Sequence, residues 1–138
     1  MEKWWLAGKE HGADRDLGQD TRTARVYSPA PAPSQSVPVV YFALAVGGNL
    51  IKIGTVVDAG RVAKRMALLQ PGCPYDLKVL LVLPGFGRRE EVRLHRLYAP
   101  YCFRGEWFRC EGELKAMLQL AHVEGAEAAA VHLRGKSI

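Results

Sequence analysis

Residues 39–55 run Val39-Val40-Tyr41-Phe42-Ala43-Leu44-Ala45-Val46-Gly47-Gly48-Asn49-Leu50-Ile51-Lys52-Ile53-Gly54-Thr55. Two runs rich in β-branched and aromatic residues flank Gly47-Gly48-Asn49, and this pattern predicts a β-hairpin. Pairing Ala45 with Leu50 puts Val40, Phe42, Leu44, Ile51 and Ile53 on one face. Tyr41, Ala43, Lys52 and Gly54 fall on the other, away from the main apolar set. A slip of one residue would mix the two sets, so the pattern itself favours this register. A phenol and an ammonium then share a face within one or two pairs of each other.

Downstream, Asp58 is a candidate N-cap for a helix over Ala59–Leu69, with Val62, Met66 and Leu69 as its apolar stripe. Arg61, Lys64, Arg65 and Leu68 occupy an adjoining face. Gln70-Pro71-Gly72-Cys73-Pro74 ends that helix. Asp76–Leu83 is nearly all apolar and predicts a strand buried on both faces. Arg88–Ala99 predicts a second helix, stopped by Pro100, with Glu91, Leu94, His95 and Tyr98 on one face. Glu106-Trp107-Phe108-Arg109 is a short extended segment. A third helix covers Glu113–His122, and 124–133 can extend as an alanine-rich helix. Hairpin, helix, strand, helix and helix make an α+β layout.

Upstream, residues 1–37 carry mixed charges, glycines and the run Ser28-Pro29-Ala30-Pro31-Ala32-Pro33-Ser34-Gln35-Ser36, and are expected to be a flexible leader dispensable for the fold. Trp4 and Trp5 within it could dock on the domain, contact a partner or stack on bases. The boundaries expected are a leader over 1–37, a domain over 38–122 and a helical extension or tail over 123–138.

The chain has 138 residues, a net charge of +5 and a pI near 9.3. That length accommodates one domain with its own core. No apolar run is long enough for a membrane span and the N-terminus is not a secretory signal, so a soluble intracellular protein is expected. The basic balance weakly favours a polyanionic partner. Cys73, Cys102 and Cys110 form no CxxC pair, which argues against a zinc ribbon and for inert thiols.

Six segments, taken in order, resemble a known family. They are Val40-Tyr41-Phe42, Lys52-Ile53-Gly54, Arg65-Met66-Ala67-Leu68-Leu69-Gln70 with the proline turn after it, Glu91-Val92-Arg93-Leu94-His95, and Gly105-Glu106-Trp107-Phe108. Together they are similar to the GIY-YIG nucleases, in the phage and bacterial branch that has lysine in the second motif. The resemblance covers about residues 38–122. It implies a three-stranded antiparallel sheet flanked by helices, and a metal-dependent DNA endonuclease active in the cytoplasm of a bacterial or phage-infected cell. It also implies a catalytic set of Tyr41, Lys52, Arg65 and Glu91, with Glu91 holding Mg2+ or Mn2+. The first motif lacks the usual Gly-Ile pair before Tyr41, and Lys52 stands where a tyrosine is usual, which leaves the proton route open.

The residue types suit that chemistry. Phosphodiester cleavage needs an activated nucleophile and a counter-charge for the transition state. Tyr41 could deprotonate water if its pKa were lowered, and Lys52 is the nearest cation in the hairpin to lower it. Arg65 offers a planar fork to phosphate. Arg61, Lys64, Arg65 and His95 are the expected nucleic-acid contacts. His95 is alternatively a satisfied core imidazole or a second metal ligand. Each residue also has an ordinary structural role open to it: packing for Tyr41, a solvated face for Lys52 and Arg65, exposed ion pairing for Glu91. The competing functions are an inactive nucleic-acid-binding module on the same fold and a protein-interaction domain. No separate DNA-reading module is visible, so weak sequence preference, a homo-oligomer or a larger assembly would each fit.

Overall fold

The computed structural model describes residues 36–136. The expected leader, with Trp4 and Trp5, lies outside the described residues, except for its last two positions. Seven residues in each arm build the hairpin, β1 (Val39–Ala45) and β2 (Leu50–Val56). Ala45 pairs with Leu50, Ala43 with Lys52 and Tyr41 with Gly54, as the alternation predicted. The turn works because Gly47 and Asn49 adopt left-handed backbone angles (φ 98° and 56°), which glycine and asparagine tolerate.

A 3₁₀ turn (Ala59–Arg61) leads into α1 (Val62–Leu69). Asp58 does not cap it with its side chain. Its carboxylate lies 3.7 Å from Arg61 Nε instead, and its backbone carbonyl accepts the Arg61 N–H. Next come β3 (Leu77–Pro84), α2 (Arg88–Leu97), β4 (Cys102–Arg104), β5 (Trp107–Arg109), α3 (Gly112–Glu124) and α4 (Ala126–Arg134). The fold is α+β. Its sheet has five antiparallel strands in the order β3-β1-β2-β5-β4, rather than the expected three. The extra pair, β4 and β5, is only three residues per strand, too short to show an alternating pattern.

All seven residues of β1 are buried, because it is flanked by β2 and β3 and covered on both faces. On one face Val39, Tyr41, Ala43, Val56 and Val62 form a cluster, with Met66, Val79 and Val82 packed against it. Tyr41 therefore lies inside a core of its own, under α1. β3 is an edge strand, and most of it is only half-buried, which corrects the expectation of burial on both faces. Glu90 accepts a hydrogen bond from the Gly87 N–H at 2.8 Å and so fastens the start of α2. Leu94 and Tyr98 are buried on the inner side of that helix. Gly125 (φ 100°) separates α3 from α4, and α4 buries Ala129, Ala130 and Leu133 in packing on α3 and β3. Among the described residues no helix is long and apolar enough to cross a membrane.

Candidate active site

The free edge of β2 organises the site. β5 pairs with β2 only from Leu50 to Lys52. Beyond that point the Ile53 N–H donates to the Glu106 carbonyl (3.1 Å), and the Ile53 carbonyl lies 3.0 Å from His95 Nε2. No described strand pairs with Gly54 or Thr55 on this side. α1 brings Arg65 to this edge, α2 brings Glu91 and His95, and the turn between β4 and β5 brings Glu106.

Tyr41 is fully buried, and its ring crosses Gly54. Among the described residues its hydroxyl has no hydrogen-bond partner. Burial pushes its pKa up, and Glu106 and Glu91 add to this, while the Arg65 guanidinium beside it pulls the other way without achieving hydrogen-bond geometry. The net direction is upward. This corrects the expected role of Lys52 as the cation that lowers the phenol: the neighbouring cation is Arg65, and it does not prevail over desolvation.

Lys52 Nζ is paired to Glu106 Oε1 at 2.5 Å and sits 6.0 Å from the centre of the Trp107 ring. The pair holds the Glu106 carboxyl below its ordinary range despite partial burial. Glu91 is the one buried charged side chain among the described residues. Desolvation raises its pKa and Glu106 raises it further, against His95, Arg88 and Lys52. Glu91 Oε2 stands 3.9 Å from His95 Nε2. Since that nitrogen already faces a carbonyl, it must carry a proton and donate to Ile53, which leaves only Nδ1 free to ligate a metal. The ring of His95 also stacks near Phe108, centroids 5.3 Å apart, so His95 fits the role of a satisfied imidazole that steadies α2 against β2.

Arg61, Lys64 and Arg65 converge as expected. They line a cleft of about 380 Å³ together with Arg88, Thr55 and Leu68. Arg88 and Glu106 were not assigned roles from the sequence. Arg88 stands one turn before Glu91 on α2, so its position on the same face as Glu91 was legible. Glu106 had no comparable signal, because its partner Lys52 is 54 residues away.

Among the described residues, no group of three or more histidines, cysteines or carboxylates could hold a metal ion unaided. The residues do fit a divalent cation held by a single carboxylate. Glu91 is buried and its charge is under-compensated, which is the setting a hard cation relieves, and its oxygens match magnesium or manganese. Cys73, Cys102 and Cys110 are free thiols, and burial pushes the Cys110 pKa up. No family model, curated protein or solved structure matches the chain.

Proposed function

We propose that the chain is a GIY-YIG-type, metal-dependent DNA endonuclease that hydrolyses a phosphodiester at the β2 edge. The observation that carries this reading is the meeting of Tyr41, Arg65 and Glu91. They come from a strand and two helices: the Tyr41 ring lies across Gly54 of β2, Arg65 lines the cleft that Thr55 of β2 also lines, and Glu91 stands beside His95, which meets the Ile53 carbonyl.

Arg65 presents a two-pronged donor to the phosphate, and Arg61, Lys64 and Arg88 hold the flanking backbone. Glu91 supplies the carboxylate for Mg2+ or Mn2+. That ion, when bound, provides Lewis-acid stabilisation of charge on the phosphate oxygens. The Tyr41 hydroxyl is fully buried, so it meets the attacking water only when DNA binding opens the β2 edge, and there it orients that water. Burial keeps the phenol protonated, so it accepts the water's proton while passing its own to an oxygen of the substrate, and no free phenolate is needed. Lys52 keeps N–H donors beyond the one given to Glu106 and can serve the leaving oxygen.

The second reading is a non-catalytic nucleic-acid-binding module. The raised Tyr41 pKa favours it, since a buried neutral phenol is a poor base. The two readings separate on supercoiled plasmid incubated with the full chain and Mg2+ or Mn2+, against an EDTA control. The nuclease reading expects nicked circles only with metal. Salt-sensitive binding without nicking would leave the binding module, and no binding at all would leave a protein-interaction domain.

A further inference from the structure

Beside the site runs a second groove of about 620 Å³, between the end of α1 with its following turn and the β4–β5 hairpin. Its walls include Leu68, Cys73, Tyr75, Phe103, Arg104 and Trp107. Phe103 is 59% exposed, Leu68 71% and Tyr75 41%, and apolar residues bared together in one groove are a mark of an interaction site. The Tyr75 ring is braced against the turn glycines Gly47 and Gly48, so it presents a fixed face.

Two walls connect the groove to the proposed catalytic edge. Trp107 has Lys52 Nζ 6.0 Å from its ring centre. Leu68 lies one helical turn beyond Arg65 and also lines the basic cleft. The groove's only charged lining residue is the cationic Arg104, and no carboxylate lines it among the described residues. Lys52 is neutralised by Glu106, so the groove's own cation is Arg104. Aromatic faces beside that guanidinium are complementary to an unpaired nucleic-acid strand, whose bases stack on the rings while phosphates meet the guanidinium. A duplex could not use this surface, because its base faces are already stacked on each other.

Resting on the nuclease reading above, we propose that this groove holds an unpaired stretch of the DNA strand leading away from the scissile phosphate. Bases stack on Phe103, Tyr75 and Trp107, and the backbone passes Arg104. The basic cleft on the other side of Arg65 takes the paired part. The substrate class is therefore DNA with a single-stranded segment next to a duplex.

The test is fluorescence anisotropy in EDTA, using the full chain with labelled oligothymidylate and with a blunt duplex of equal length. Phe103→Ala is the first variant, because its exposure makes a folding effect small. Stacking losses per base imply a fall of about 10-fold or more in affinity for the single strand. Duplex affinity, set by phosphate contacts, should change by less than about twofold. Phe103→Trp should restore strand binding. Equal losses for strand and duplex, or no loss for the strand, would overturn the proposal. So would sedimentation showing that Phe103→Ala turns a dimer into a monomer with strand affinity unchanged, which would assign the groove to a second copy. Binding is read without metal, so a failure of plasmid nicking would defeat the nuclease reading and leave the strand subsite standing.

Discussion

The ring of Tyr41 lies across Gly54, its partner on β2, so closely that a Cβ on Gly54 would stand 2.5 Å from the phenolic oxygen and 2.6 Å from the ring carbon that bears it. The glycine is required by this approach and not by its backbone angles. It lets the phenol cross β2 while the whole side chain stays buried in the core under α1.

Gly54→Ala should therefore displace Tyr41. Overpacking of this kind costs about 1–3 kcal/mol. For a domain of this size each kcal/mol lowers the Tm by about 4–8 °C. Plasmid nicking should fall with it. A variant that keeps both Tm and nicking would show that the ring can move aside freely.

Tyr41→Phe removes a buried hydroxyl that has no partner. An unsatisfied buried polar group costs about 1–3 kcal/mol, so the variant should melt at the same temperature as the wild type or higher. Nicking should fall by about 10²- to 10⁴-fold, the usual worth of a proton-transfer group. Greater stability with lost activity would mark the hydroxyl as kept for chemistry. Lower stability would mean that it bonds within the native fold.

The hairpin register was legible because lysine and glycine interrupt one face of β2 in a strict alternation. The burial of the Tyr41 face was not, since β1 is apolar on both faces and offers no contrast to say which is covered. The Lys52–Glu106 pair was hidden for a different reason. It is made by a turn between three-residue strands, whose position depends on packing and not on local pattern. Glu91 was legible from helical spacing, but its burial, and the use of Glu90 as the tie to Gly87, required the helix to be docked.

Arg65→Lys keeps the charge and loses the fork. The half-buried guanidinium sits beside the phenol and lines the basic cleft, so DNA affinity in EDTA should drop only modestly. Nicking should fall by an order of magnitude or more if the fork grips the scissile phosphate, about 10-fold for each 1.4 kcal/mol of lost transition-state stabilisation. Full nicking by the lysine variant would reduce Arg65 to one member of a diffuse basic surface.

Glu91→Gln tests the metal and the electrostatics together. The Glu91 carboxyl is raised by desolvation first and by Glu106 second, so the folded chain holds that proton more tightly than the unfolded one. The stability this contributes is complete below the ordinary carboxylate range and is lost as pH rises through the raised value. Glu106 is lowered and acts in the opposite sense, its contribution fading as pH falls, but it is half-exposed and present in both proteins compared. The variant should therefore gain in Tm over the wild type as pH rises above the ordinary carboxylate range, and the gain should be small below that range. Added Mg2+ should raise the Tm of the wild type, because it binds the folded state, and leave the variant unmoved. DNA affinity in EDTA should persist or tighten once an anion is removed from the phosphate-binding edge, while nicking with Mg2+ should vanish. If Mg2+ stabilised both proteins equally, the ion would be bound elsewhere. If the variant still nicked, Glu91 would be a buried carboxylate of the fold and no part of the catalytic site.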